Sequence, residues 1–338
     1  ITLASHFVKA GNPAFIESTV IDGGGGSNGI EIASTVGPGM RIIGLTVRNA
    51  ENGIYPYAKF EFLHGHITSN VDGIDYESGS GGLIADSLID FNKDDGLDFD
   101  GSVDIVVERC MIRDNKNDGI EQRLHAYSGP VLNIVIRDNV IRNNGGTKNG
   151  NGIQLIESPD STGTDRALRI ERNLILDNAQ AGIGMMCCGE TKEDFQGASL
   201  VEPIDIINNV ISGNDHGITG GDNTVVINNI FLGNTHIALK RVDGSSIAAY
   251  NLFFNNGSNV SDSNIDWEST LTVDPELSDE YRPANSSPAV DAGTKQFIWQ
   301  GRTVLNLSPS DFRGTAPDIG RYEYEQLTTD GVIKPAEK

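Results

Sequence analysis

The chain has 338 residues, with 25 Lys and Arg against 47 Asp and Glu, for a net charge of −22. That balance excludes nucleic acid and anionic membrane as partners, because both are held by basic surface. No apolar run is long enough to cross a bilayer, and three cysteines supply no disulfide framework.

In chain order, residues 1–30 read as a first coil containing a Gly-rich turn at Asp22–Gly26. The N-terminal Ile is expected to reflect a processed terminus, and no signal peptide is legible. A short phrase then recurs: a small residue or Asn, two apolar residues, two variable ones, then Asn. It reads Gly44-Leu-Thr-Val-Arg-Asn49, Gly65-His-Ile-Thr-Ser-Asn70, Ser87-Leu-Ile-Asp-Phe-Asn92 and Cys110-Met-Ile-Arg-Asp-Asn115. It continues to the asparagines Asn144, Asn178, Asn214, Asn234 and Asn256, at spacings of 21, 22, 23, 29, 34, 36, 20 and 22 residues from Asn49 onward. A second phrase follows most of them: Gly53-Ile54, Gly73-Ile74, Gly96-Leu97, Gly119-Ile120, Gly152-Ile153, Gly182-Ile183 and Gly217-Ile218.

The apolar runs are short and alternate as strands do, and Asn and Gly mark the corners. A repeat this short cannot bury its own apolar face, so it must stack on its neighbours. The expectation is all-β: a single-stranded parallel β-helix, one coil per repeat, over residues 1–260. Stacked asparagines are expected to form a hydrogen-bond ladder. Residues 261–338 are expected to cap the last coil, whose open end is an exposed edge, with a polar tail over 325–338. Cys110 occupies a small-residue column and reads as a buried thiol. Extra residues at Leu124–Gly129, Gly145–Asn149, Ser158–Thr164 and Cys187–Val201 are expected to collect as a wall beside one face.

Aligning the Gly phrases stacks side chains. The position before Gly reads Asn52, Asp72, Asp95, Asp118, Asn151, Ala181, His216. Two after Gly it reads Tyr55, Asp75, Asp98, Glu121, Gln154, Gly184, Thr219, and four after, Tyr57, Glu77, Asp100, Arg123. Acidic residues at turns often only solvate a surface. Stacked like charges, however, destabilise a sheet unless something neutralises them. An oxygen-only cluster suits a hard cation such as Ca²⁺. Tyr55, Tyr57 and Tyr76 are expected at one edge of this field as sugar contacts with Glu121 and Gln154, and Arg123 and His125 at the other. Lys93 and Lys116 read as solvated corners.

The repeat resembles the right-handed pectin-lyase-like β-helices over about residues 20–260. The segments Ser287–Gly293 and Pro317–Tyr324 resemble the C-terminal segment of secreted bacterial β-helix proteins, which implies an extracellular, bacterial and monomeric protein. Asp72 followed by Asp94-Asp95-x-x-Asp98 resembles the calcium pocket of the family 9 pectate lyases. That resemblance implies Asp72, Asp94, Asp95 and Asp98 as Ca²⁺ ligands. It also implies β-elimination on an acidic, uronate-containing polysaccharide with a cationic residue as base: Arg123 first, Lys148 second, His125 as an outside candidate. Asn70-Val-Asp72 and Asp94-Asp95 also resemble the polygalacturonases, implying acid–base hydrolysis by Asp72, Asp94 and Asp95. That family's Gly-His-Gly slot here reads Asn117-Asp118-Gly119, and its Arg-x-Lys is absent in register. A non-catalytic glycan-binding β-helix is the third reading.

Overall fold

The structure is a computed structural model that describes residues 1–146, 150–158, 164–189, 200 and 202–325. The chain winds into a parallel β-helix with three short strands per coil. In a representative coil these are Leu97–Phe99, Asp104–Glu108 and Met111–Arg113. The Asp104–Glu108 class forms a ten-stranded parallel sheet from Thr2–Ala4 to Ile247–Ala249. The other two classes form the remaining faces, and the Leu97–Phe99 class carries the acidic columns. No helix among the described residues is long and apolar enough to cross a membrane.

Two corners per coil bring the chain round, each a residue with left-handed backbone followed by a buried one. Arg109 (φ 52) precedes Cys110, and Asp114 (φ 55) precedes Asn115. From the second corner the Asn ladder runs as expected: Asn92 Nδ2 donates to Asn115 Oδ1 at 2.9 Å, Asn115 to Asn144 at 3.0 Å, and Asn144 to Asn178 at 3.0 Å. A second ladder, Asn139 to Asn173 to Asn209 to Asn229, lines the first corner. Inside, a continuous stack of buried Ile, Val, Leu and Phe fills the tube. The glycines before the site-face strands are required by proximity: a Cβ on Gly73 would stand 2.2 Å from the Gly96 carbonyl, and one on Gly96 2.6 Å from that of Gly119.

Several expectations are corrected. The first repeat is shifted by one residue, since Thr46 pairs with His66 and Val47 with Ile67. Ala50 rather than Asn49 therefore fills the ladder slot, and its N–H donates to Asn70 Oδ1 at 3.1 Å. Asp22–Gly26 is no free turn. It is an irregularity inside the strand Val20–Ile32, which pairs with Thr46–Pro56 on either side of it. The residues expected as a loop at Leu124–Gly129 largely open the long strand Tyr127–Arg137, which absorbs the excess as a register shift between Tyr127 and Leu132. Most of the other three insertions lies outside the described residues. Cys110 is a buried free thiol, and Cys187 is bonded to its neighbour Cys188.

Beyond Ser261, bridges from Ala248 to Ile265 and from Leu252 to Leu271 add a partial coil. The chain then returns along the flank. Ile319 packs into an apolar patch with Val210, Ile230 and Leu252. Arg302 pairs with Asp205 at 2.7 Å, and Arg321 Nη1 donates to the Asn139 carbonyl at 2.9 Å.

Candidate functional site

The backbone pairings reproduce the aligned columns: Asp98 faces Asp75 on one neighbouring strand and Glu121 on the other, and Glu121 faces Gln154. The column before Gly is itself a ladder. Asp95 N–H donates to Asp72 Oδ1 at 3.1 Å, Asp118 N–H to Asp95 Oδ1 at 2.7 Å, and Asn151 N–H to Asp118 Oδ1. Ala181 N–H completes it on Asn151 Oδ1 at 2.9 Å. One oxygen of each aspartate thus holds the next coil.

These oxygens converge in three overlapping groups: Asp72, Asp95 and Asp98; Asp75, Asp98 and Asp100; Asp95, Asp118 and Glu121. Within each group one ligand atom per residue lies within 4.8 Å of the others. Of the four expected ligands, three come together, and Asp94 stands outside these groups. Asp94 still contributes charge, raising Asp95, Asp118 and Glu121.

Burial, then Glu121 and the neighbouring aspartates, pushes Asp98 up to about 9. Burial and the charges of Asp100, Asp72 and Glu77 push Asp75 up to about 7. Burial also raises Glu121 to about 7, against the pull of Arg123. Asp95 and Asp118 are held well above the usual carboxylate range, mainly by burial. Buried oxygens with no hydrogen bond include Asp75 Oδ1, Asp98 Oδ1, Asp118 Oδ2 and Glu121 Oε1. Each unit charge 4 Å from another costs roughly 4 kcal/mol at an effective dielectric near 20. A cluster of hard oxygens with unused lone pairs fits Ca²⁺, which takes six to eight such ligands.

Arg123 is the cation at the cluster. Its Nε lies 2.7 Å from Asp100 Oδ1, and its Nη2 lies 2.6 Å from Glu121 Oε1. The second contact is an ion pair without hydrogen-bond alignment, so Glu121 Oε1 keeps an unused lone pair. Burial works against the guanidinium charge, but Glu121, Asp100 and Asp98 outweigh it and hold the pKa above its ordinary value. That opposes the role of proton acceptor for which Arg123 was the first choice. His125, two residues further along the chain, is exposed, its Nδ1 3.0 Å from Ser158 Oγ. Lys148 lies outside the described residues. Lys93 and Lys116 are exposed corners, as expected.

The aromatic expectation divides. Tyr55 and Tyr57 meet edge to face at 5.0 Å, Tyr57 is 38% exposed, and the Tyr55 hydroxyl donates to Glu77. Tyr76 is corrected. It is fully buried between Phe60 and Phe99, because two residues after an inward Ile the strand points inward again. Glu121 and Gln154 are also buried, at 2% and 1% exposed, so neither offers the open sugar contact expected of it. Gln154 Nε2 instead donates to Glu121 Oε2 at 3.1 Å and fixes that carboxylate from the next coil.

A long stack of parallel coils with a polar cluster on one face defines the class: this is a right-handed parallel β-helix. A family model described as "Right handed beta helix region" matches residues 6–163. In fold the chain is similar to the crystal structure of pectate lyase Pel9A, with a TM-score of 0.55 and 17% identity, covering 84% of this chain and 72% of that one. The A-module of Azotobacter vinelandii mannuronan C-5 epimerase AlgE6 aligns with a TM-score of 0.39 and 12% identity, over 74% of this chain and 78% of that one. No curated protein sequence matches.

Proposed function

We propose that the protein is a secreted, Ca²⁺-dependent lyase that cleaves an acidic, uronate-containing polysaccharide by β-elimination. The observation that carries this is the oxygen-only cluster of Asp72, Asp95 and Asp98, extended by Asp75 and Asp118, in which buried oxygens of Asp75, Asp98 and Asp118 without a hydrogen bond call for a hard cation. The likeness in fold to a pectate lyase supports action on a polysaccharide. Asp72, Asp95 and Asp98 hold the ion, with Asp94 adding charge from the corner. When bound, Ca²⁺ supplies positive charge that neutralises the uronate carboxylate and makes the proton at C5 more acidic.

The chain's own residues do the rest. Arg123, held cationic, lies against the sugar carboxylate and stabilises the negative charge that builds as the C5–H bond breaks. The exposed His125 imidazole accepts that proton. The electron pair forms the C4–C5 double bond as the C4–O bond breaks, and the departing oxygen takes up a proton from solvent water. Tyr55 is held as the neutral phenol by Glu77 and Tyr57, its hydroxyl donating to Glu77. Tyr57 offers its ring face to a sugar.

A glycoside hydrolase is the second reading, favoured by the proton-retaining Asp98 beside Glu121. The clustered carboxylates stand closer together than the ~6.5–9.5 Å an inverting pair needs for its water. The deciding experiment follows absorbance at the unsaturated-uronate band on a panel of acidic glycans, with Ca²⁺ and then with chelator. Growth that chelator stops is the expected result. Reducing ends without absorbance would establish the hydrolase instead. Arg123→Ala is expected to lower kcat by about 10²-fold or more, as loss of a transition-state donor does, and to lower the melting temperature as well, because it strips Glu121 and Asp100 of their cation. A change confined to KM would remove Arg123 from charge stabilisation.

A further inference from the structure

On the site face, the column that holds Asp118 continues through Asn151 and Ala181 to His216. Three coils at about 4.8 Å each put His216 roughly 14 Å from the acidic cluster. It is buried, at 5% exposed. Asp215, just before it, turns its carboxylate between two imidazoles. His236 Nδ1 lies 2.5 Å from Asp215 Oδ1, and His216 Nδ1 lies 3.2 Å from Asp215 Oδ2. His236 comes from the following coil, pinned there by its N–H donating to the Asp215 carbonyl at 2.8 Å. The two rings are parallel within 4°, their centroids 5.4 Å apart. Thr235 Oγ1 donates to Asp215 Oδ1 at 2.9 Å and orients the carboxylate.

We propose that Asp215, His216 and His236 form a binding site for a borderline divalent metal ion of the Zn²⁺ type, separate from the carboxylate cluster. The ligand atoms of all three already lie within 4.8 Å of one another. Ligands of a tetrahedral Zn²⁺ at 2.0–2.1 Å stand roughly 3.3 Å apart, so small rotations of the exposed His236 close the set. Two imidazoles with one carboxylate select Zn²⁺, Co²⁺ or Ni²⁺ over Ca²⁺, the reverse of the oxygen-only cluster. The positive charge of Lys240 also acts on His216, opposite in sign to that of Asp215. Three protein ligands leave a fourth position, on the solvent side beside His236. The Thr235 contact supplies the outer hydrogen bond that ligating carboxylates usually have.

The test uses the full chain in excess Ca²⁺, titrated with Zn²⁺ by calorimetry and with Co²⁺ by visible absorption. A single equivalent of Zn²⁺ and a tetrahedral Co²⁺ band are expected. His236→Ala, at an exposed position, should weaken Zn²⁺ by about tenfold or more and erase the band, and Asp215→Asn should weaken it as well. Asp98→Asn should leave both readings as they are. Unchanged Zn²⁺ affinity in His236→Ala, loss of Zn²⁺ in Asp98→Asn instead, or no uptake by the unaltered chain would each overturn the assignment.

Discussion

Stripped of divalent cations, the protein should lose stability steadily as pH climbs from about 4 to about 9, and added Ca²⁺ should restore it most at the alkaline end. The sign follows from proton linkage. A carboxyl whose pKa is raised by folding binds more protons folded than unfolded, so its stabilising contribution is full below its ordinary pKa and is lost as pH rises through the folded value. Asp98 opens that window from 3.8 to about 9, and Asp75 and Glu121 add narrower ones ending near 7. Each unit of pKa shift is worth about 1.4 kcal/mol, so Asp98 alone stands for a few kcal/mol between pH 5 and pH 8. On the proposed function, Ca²⁺ would take over the neutralising role of the protons without needing low pH.

Asp98→Asn removes the charge with the shape preserved. It should raise the melting temperature of the chelated protein at pH 8, shrink the gain from Ca²⁺, and abolish activity. The measurement is a set of thermal melts at several pH values, with chelator and with Ca²⁺. A chelated protein whose melting temperature is flat or rising from pH 5 to pH 8 would mean that these side chains do not crowd one another as described.

The columns were readable in the sequence because the repeat is periodic and side-chain direction in a strand alternates with period two. Once Gly73, Gly96 and Gly119 are aligned, Asp75, Asp98 and Glu121 must stack, and they do. The same rule, carried one residue further, turns Tyr76 inward beside Phe99. Its aromatic character, which suits a sugar as well as a core, outweighed that signal. The first repeat misaligns because Gly44 and Asn49 mimic the phrase from the left-handed positions of the two successive corners, one residue early. Periodicity alone could not show that Asp72, Asp95 and Asp118 each spend one oxygen on the next coil's N–H. That is a contact between side chain and backbone, and the repeat spells only side-chain identity. Nor did it flag Asp215 with His236, since a corner residue and its neighbour on the next coil belong to neither aligned phrase.

Asn144→Ala should be among the most damaging single substitutions in the solenoid. Asn144 sits in mid-ladder, 1% exposed. Its Oδ1 accepts the Asn115 N–H at 3.2 Å and the Asn115 Nδ2 at 3.0 Å, and its own Nδ2 donates to Asn178 Oδ1 at 3.0 Å. Alanine orphans two buried donors at once, and water cannot reach them. At roughly 1–3 kcal/mol for each buried group left unsatisfied, the loss is about 3–5 kcal/mol. Asn256 makes the same bonds to Asn234, at 3.0 and 2.9 Å, but at the last, half-buried rung. Solvent can replace its carbonyl there, so Asn256→Ala should cost about 1 kcal/mol. Denaturant melts of the two variants supply the comparison.

The contrast also explains the site column. An aspartate in a ladder keeps the acceptor that holds the next N–H and replaces the amide donor with a second carboxyl oxygen. Asp72, Asp95 and Asp118 are ladder rungs of this kind, which lets the fold tolerate them. Asn144→Ala and Asn256→Ala melting alike would show that the ladder carries little of the coil-to-coil stability. The three aspartates would then need another reason to be where they are.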